Sequence, residues 1–227
     1  MRKIKGLRWY ILVLIGMGTL VNYVDRNTLG ILAPQLEKSL HFSTQQYSYV
    51  VSSFQFCYSL MQPVAGYITD FIGVRLGYCL FALLWGAAAA LHACAGGWQS
   101  MAAFRGMLGM SEAAAIPTGV KTATLWFPAK ERSIAASLFN MGGMIGAMIT
   151  PPLVIWLSVT WSWRVAFLFT GLLGAGMSVL WLVFYRNPEQ HARLSDAEKA
   201  YIIGGRDTAV LPRPSLRAIV GKGKFWG

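Results

Sequence analysis

The chain has 227 residues, of which 55% are hydrophobic and only 13% are charged. An average soluble domain is about 25% charged, and a water-soluble fold of this length could not bury so much apolar surface. The composition therefore excludes an ordinary soluble protein and predicts a chain that crosses a lipid bilayer several times. The net charge of +11 does not indicate a nucleic-acid partner, because the basic residues fall in loops and tails, where they orient helices in a membrane.

Six apolar segments are long enough, at about 20 residues each, to cross the hydrocarbon core as helices. The first follows a basic stretch but lacks a small-residue cleavage site, so we expect a retained helix rather than a signal peptide. The predicted fold class is all-α, a polytopic membrane bundle over residues 9–185. The predicted segments are 9–32, 47–69, 76–95, 98–125, 133–157 and 164–185.

Most of the twenty lysine and arginine residues fall on one side of this predicted bundle. The positive-inside rule therefore places both termini, residues 1–8 and 186–227, in the cytoplasm. Ser195 begins a short amphipathic stretch and is a predicted N-cap. The chain ends in basic residues followed by an aromatic pair, Lys224–Gly227, a pattern typical of the approach to another membrane segment.

Prolines interrupt the fourth and fifth predicted helices. Pro117 lies in the fourth segment, and Pro151 and Pro152 lie in the fifth. Proline removes a backbone donor and clashes with the preceding turn, so a kink or local unwinding is expected at both places.

Four charged side chains lie well away from the ends of the apolar segments, Asp25 and Arg26 in the first, and Arg105 and Glu112 in the fourth, whereas Lys121 and Arg164 fall at segment edges. A charge at the membrane centre costs about 2.5–3.5 kcal/mol on insertion scales, so such residues usually face a water-filled cavity. Seven residues of helix place Arg105 and Glu112 on one face, about 10.5 Å apart. Arg26 lies about 25 Å along its helix from Trp9, so the two arginines can face one cavity.

This set of residues suits the binding of a carboxylated polyol and the transfer of protons. Guanidinium groups bind carboxylates with two parallel hydrogen bonds. A carboxyl group in a low-dielectric cavity can bind a proton, which suits Asp25 and Glu112 to proton coupling. Gln55, Tyr58 and Gln62 form a polar stripe that could bind hydroxyl groups.

Other interpretations of these residues stay open. Arg105 and Glu112 could form a static ion pair. Asp25 and Arg26 could form an interfacial pair if the first helix is shorter than predicted. The stripe on the second segment, taken alone, is more typical of hydrogen bonding between helices.

The loop after the second segment resembles a motif of the major facilitator superfamily, G-x-x-x-D-(R/K)-x-G-x-R. Gly66, Asp70, Gly73 and Arg75 match, and Phe71 departs where a basic residue is usual. The resemblance implies a gating latch, in which Asp70 pairs with a base or a helix N-terminus and must release when the protein changes state.

Further stretches resemble the anion:cation symporter family of that superfamily, and are most similar to its bacterial hexuronate transporters. The resemblance covers essentially the whole chain. The stretches are Asn22-Tyr23-x-Asp25-Arg26, Glu112-Ala113-x3-Pro117, Pro151-Pro152, Trp163-Arg164-x2-Phe167 and Asn187-Pro188-Glu189.

The resemblance implies a role for each matching residue. Arg26 would hold the substrate carboxylate, and Asp25 and Glu112 would be the proton-coupling residues. Arg105 matches a required arginine. The remaining substrate-binding candidates are Tyr23, Tyr58, Asn22 and Gln62.

The superfamily has twelve helices in two halves, each built from two inverted three-helix repeats. This chain resembles the N-terminal half, so we expect a missing C-terminal half, the lipid bilayer, a small sugar-acid anion and protons as its partners. The resemblance implies a transporter of the bacterial inner membrane that imports galacturonate or glucuronate with protons. An aldonate or another organic anion is the alternative substrate.

A different class of protein, a six-helix channel or assembly subunit, is also considered. It would need pore-lining periodicity or a filter loop, and the sequence has neither. We expect no enzyme, because no nucleophile–base pair is evident. We also expect no cofactor and no metal, because Cys57, Cys79 and Cys94 lack the spacing of a metal site.

Overall fold

Helices make up the fold of this chain. A computed structural model describes residues 3–206, and the terminal Lys224–Gly227 stretch lies outside the described residues. No β-strand occurs in the described part, where only an isolated bridge joins Ile4 and Leu194. The predicted all-α class is therefore confirmed. The helices are α1 Leu7–Leu40, α2 Thr44–Ile72, α3 Val74–Leu91, α4 Trp98–Glu112, α5 Ala115–Trp126, α6 Arg132–Thr160, α7 Trp163–Phe184 and α8 Asp196–Gly204.

Four helical stretches among the described residues are long and apolar enough to cross a membrane, whereas the sequence predicted six segments. They are Leu7–Leu40, Val74–Cys94, Ala129–Thr160 and Trp163–Phe184. The second predicted segment forms the 29-residue α2, but its glutamine, serine and tyrosine residues make it more polar. The fourth predicted segment forms two shorter helices, α4 and α5.

The two places where proline was expected to disturb a helix behave differently. A turn at Ala113 and Ala114 separates α4 from α5, and Pro117 lies in the first turn of α5. Proline is tolerated there because the first amides of a helix have no intrahelical acceptor. By contrast, α6 runs through Pro151 and Pro152 as one helix, so the local unwinding considered there does not occur.

Glycine contacts hold the helices close together. The most extensive pairings are α1 with α6, α3 with α7, and α2 with α4. A Cβ atom on Gly142 of α6 would lie 2.1 Å from the carbonyl oxygen of Gly16 in α1. A Cβ atom on Gly109 of α4 would lie 2.5 Å from the carbonyl oxygen of Phe54 in α2. Small residues therefore let these backbones meet, as is usual for helices in lipid.

The segment after α7 returns to the start of α1. The backbone amides of Gly6, Leu7 and Arg8 donate to the Glu198 carboxylate of α8 at 3.1, 3.2 and 3.3 Å. Ser195 accepts a hydrogen bond from the amide of Glu198 at 3.3 Å, so the predicted N-cap is confirmed. The carboxylate of Glu198 thus satisfies orphan donors at the N-terminus of α1. These contacts place the beginning of α1 and the segment after α7 at the same end of the bundle.

Candidate functional site

An ion pair joins α1 to α4 in the interior of the bundle. Nη2 and Nε of Arg26 donate to Oε2 of Glu112 at 3.1 and 3.3 Å. The Glu112 side chain is fully buried, whereas Arg26 keeps 28% of its side-chain surface exposed. The pair therefore has one enclosed member and one member that an incoming ligand can reach.

Arg105 supports Arg26 from the buried side. Its Nη2 donates to the backbone carbonyl of Arg26 at 2.7 Å, and the residue is only 5% exposed. The structure thus brings the two arginines together, as their depths along α1 and α4 suggested. The ion pair of Glu112 is with Arg26 and not with Arg105, which was the static pairing considered from the sequence.

Aromatic rings surround the guanidinium group of Arg26. Its Cζ atom lies 4.8 Å from the ring centroid of Tyr58, 5.1 Å from that of Phe54 and 5.4 Å from that of Tyr23. Phe54 also lies 4.8 Å from the Cζ atom of Arg105. Aromatic faces attract cations, so these rings help to hold both arginines in place.

Phe54 is a site residue that the sequence analysis missed. As an apolar residue in an apolar segment it carries no chemical signal of its own. Its position four residues before Tyr58, where both share one face of α2, is the signal that could have identified it. The two rings stack with centroids 5.7 Å apart.

Several buried polar atoms around the pair have no hydrogen-bond partner. They are Nδ2 of Asn22, Oε1 of Glu112, and Nε and Nη1 of Arg105. The Asn22 amide lies beside the Glu112 carboxyl group. Buried polar groups are almost always paired, so such a cluster marks a place where a polar ligand or ordered water would complete the bonding.

Asp25 lies on a different face of α1 from Arg26. It is 1% exposed, and neither carboxylate oxygen has a hydrogen-bond partner. The side chains of Thr170 in α7 and Trp85 in α3 are its polar neighbours, and Glu112 and Arg105 act on it through their charges. The interfacial Asp25–Arg26 pair considered from the sequence does not form, because α1 continues to Leu40 and buries Asp25.

The polar stripe of α2 is only partly at the site. Tyr58 is half-buried and touches Arg26. Gln62 is half-buried one turn further along and, among the described residues, forms no hydrogen bond with Arg26 or Glu112. Gln55 is exposed. The structure therefore brings Tyr58 to the site, leaves Gln62 at its edge and separates Gln55 from it.

The four motif residues lie at the other end of α2, away from the ion pair. Asp70 forms an ion pair with Lys121 of α5, and Arg75 donates to the carbonyl of Leu182 in α7 at 2.8 and 3.3 Å. Gly73 has φ +88° between α2 and α3, a conformation that favours glycine. A Cβ atom on Gly66 would lie 3.7 Å from Pro117 of α5. These residues therefore fasten α2 and α3 to their neighbours.

The sequence from residue 15 to residue 226 matches the family model described as Major Facilitator Superfamily. The chain is 46% identical, over its whole length, to the hexuronate transporter of Escherichia coli K12, of which it covers 54%. It is also 46% identical, over its whole length, to the galacturonate transporter of Dickeya chrysanthemi, of which it covers 67%. The chain thus spans about half the length of the hexuronate relative.

The fold is similar to that of a solved membrane transporter. A crystal structure of a bacterial homologue of the human lysosomal transporter Spinster, inward-facing and unoccupied, superposes with a TM-score of 0.74. The two sequences are 18% identical, and the match covers 81% of this chain and 44% of the other. At this identity the similarity shows the fold alone.

Proposed function

Because this chain belongs to the Major Facilitator Superfamily, we propose that it forms the N-terminal half of a transporter that carries a hexuronate and protons together. The substrate class rests on the two relatives named hexuronate and galacturonate transporter, each 46% identical to the chain. The proposed location is the bacterial inner membrane, which the four apolar spans suit. The function is transport and not catalysis.

The observation that carries the proposal is the partly exposed Arg26 with its charge balanced by the buried Glu112. Oε2 of Glu112 occupies both Nε and Nη2 of Arg26. A substrate carboxylate that binds this edge of the guanidinium group through two parallel bonds uses the same donors. Substrate and Glu112 therefore compete for Arg26.

Protonation of Glu112 resolves this competition in favour of the substrate. A neutral carboxylic acid no longer balances the guanidinium charge, and an unpaired charge at this depth is costly. The substrate carboxylate then takes the place of Glu112 as the partner of Arg26. A proton on Glu112 and a substrate anion thus occupy the cavity together, which is the requirement of symport.

The remaining site residues have roles that follow from their positions. Tyr23 and Tyr58 flank Arg26 and offer hydroxyl groups to the sugar, and Asn22 and Gln62 offer side-chain amides that can bind its hydroxyl groups. Arg105 holds the backbone of Arg26 and adds positive charge near Glu112. Asp25, which is buried and unpartnered, is proposed as a second proton site that senses Glu112 through its charge.

This chain supplies one wall of the transport site. Transporters of this architecture bind substrate between two six-helix halves and expose the site to each side in turn by rocking. The opposing wall is proposed to come from a second half, with the Asp70–Lys121 pair as a contact that changes between states. The partners are therefore the second half, the lipid bilayer, the anion and protons.

Uptake of labelled galacturonate into vesicles that contain the two-half transporter tests the function. With an inward proton gradient, we expect accumulation that Arg26→Ala abolishes. Lys130→Ala, which removes an exposed charge far from the site, should leave uptake unchanged. Accumulation by the Arg26 variant, or equal uptake without a proton gradient, would reject the proposal.

A further inference from the structure

A groove opens on the surface where the first part of α1 meets the last turn of α7. It has a volume of about 600 Å³, within the usual range of ligand sites. Its walls are apolar, with Tyr10, Val13 and Met17 from α1 and Val183 and Phe184 from α7. Tyr10 and Val13 are 65% and 62% exposed, so no other part of the described chain covers them.

One end of the groove is positively charged. Arg186, His191 and Arg193 line it, and none of the described residues in its lining is acidic. Nη1 of Arg186 donates to the carbonyls of Leu182 and Tyr185 at 2.8 and 2.7 Å, which fixes the guanidinium group at the C-terminus of α7. The negative end of the helix dipole favours a cation there.

Histidine adds no positive charge to this end at neutral pH. Burial and the nearby guanidinium groups of Arg186 and Arg193 hold the pKa of His191 below its usual value. Its Nδ1 accepts a hydrogen bond from the backbone amide of Arg193 at 3.3 Å, and its ring lies 5.7 Å from that of Trp126. The charge of the groove therefore comes from the two arginines.

We propose that this groove binds one anionic phospholipid, with its phosphate at Arg186 and Arg193 and an acyl chain along the apolar walls. An apolar slot with cations at one end matches an amphiphile that carries negative charge at its head. Basic pockets between membrane helices bind anionic head groups in this way. The arginines follow the last turn of α7, at the end of the bundle where α1 begins, so they lie where a head group meets the helix ends.

The positive charge of the two arginines makes other occupants of the groove less favourable than an anionic lipid. Residues 207–227 contain Arg213, Arg217, Lys222 and Lys224 but only one acidic residue, so this segment is repelled by a cationic mouth. A second copy of the chain, with a net charge of +11, is unfavourable for the same reason. A zwitterionic lipid fits the apolar walls but gains less from the arginines.

Native mass spectrometry of the purified chain, with phosphatidylglycerol or phosphatidylcholine of identical acyl chains, tests the assignment. We expect one phosphatidylglycerol molecule to be retained at least tenfold more strongly than phosphatidylcholine. The double variant Arg186→Gln with Arg193→Gln should lose this preference. The double variant Lys38→Gln with Lys130→Gln removes the same charge at exposed positions elsewhere and should keep it.

Two further measurements keep the test independent of any folding defect in the arginine variant. Met17→Trp fills the apolar slot but leaves the head-group site intact, and should weaken phosphatidylglycerol retention. In an NMR titration, phosphatidylglycerol should raise the pKa of His191 relative to phosphatidylcholine, because an adjacent phosphate stabilises the imidazolium. Equal retention of both lipids, or an unchanged His191 titration, contradicts the proposal whether or not the chain takes part in transport.

Discussion

Arg26 contacts charged groups of α4 and also aromatic rings, and this arrangement lets its guanidinium group exchange one carboxylate partner for another. The Glu112 carboxylate and the Arg105 side chain bind it from the buried side, while the rings of Tyr23 and Tyr58 contact its guanidinium group. Removing one member of a buried ion pair costs about 3–5 kcal/mol, because the other charge is left uncompensated. A proton on Glu112 creates this imbalance without any mutation, and a substrate carboxylate relieves it.

Glu112→Gln should separate proton coupling from substrate exchange. Glutamine keeps the shape and a hydrogen-bonding oxygen but cannot gain or lose a proton. We expect proton-driven galacturonate accumulation in vesicles to fall to the equilibrium level, while exchange of internal for external galacturonate continues. Glu37→Gln, which lies near the far end of α1, is the matched control and should accumulate normally. Normal accumulation by Glu112→Gln would remove Glu112 from the coupling role.

Tyr58 should contribute to affinity mainly through its ring. The ring centroid lies 4.8 Å from the Arg26 guanidinium carbon, and a cation–π contact is worth about 1 kcal/mol. Tyr58→Ala should therefore weaken galacturonate binding about fivefold, measured by isothermal titration calorimetry on the two-half transporter. Tyr58→Phe keeps the ring and should lose less affinity. Equal losses in the two variants would assign the effect to the hydroxyl group instead.

The site could be predicted from the sequence where a charge stands out against an apolar background. Arg26, Arg105 and Glu112 were identified in this way, and helix geometry gave the similar depth of the two arginines. Phe54 could not be identified, because phenylalanine is common in membrane segments and only the structure shows that its ring contacts Arg26 and Arg105. Glu112 pairs with Arg26 and not with Arg105 because of how α1 and α4 are rotated about their axes. The spacing of residues along one helix does not define this rotation.

Among the helices, close contacts through glycine determine which surfaces meet. The α1–α6 contact depends on Gly142 and Gly146, where a Cβ atom would lie 2.1 and 2.5 Å from carbonyl oxygens of α1. Gly142 and Gly146 are four residues apart in the sequence, which places them on one face of a helix, but this spacing does not identify the helix that they face. The division of the fourth segment near Pro117 followed from proline chemistry. The continuous α6 shows that two prolines alone do not decide the outcome, because neighbouring helices can hold the helix together.

Gly142→Ala should destabilise the packing of α6 on α1. The added methyl group would collide with backbone rather than with a flexible side chain, and overpacking typically costs about 1–3 kcal/mol. We expect the thermal unfolding midpoint in detergent, followed by circular dichroism, to fall by several degrees. Gly176→Ala in α7 is the control, because nothing lies within 4 Å of its added Cβ atom. A Gly142 variant as stable as the Gly176 variant would contradict the contact.

For the molecule as a whole, the fold class was the most predictable feature, because long apolar segments leave few alternatives to helices in a membrane. The number of apolar spans was less predictable, since α2 and the α4–α5 pair are too polar or too short to stand out alone. These helices are held in the bundle by their contacts with each other, since α2 packs along α4. The chain spans 54% of the hexuronate relative, and the proposed function sets a second half opposite Arg26 across the transport cavity.

The pH dependence of galacturonate binding by the two-half transporter tests the central claim most directly. If Glu112 and the substrate compete for Arg26, affinity should be highest at low pH, where Glu112 is protonated, and should fall as Glu112 ionises. Glu112→Gln should bind tightly with a much weaker dependence on pH. A Glu112→Gln variant that keeps the full pH dependence of the unmodified protein would contradict the competition for Arg26.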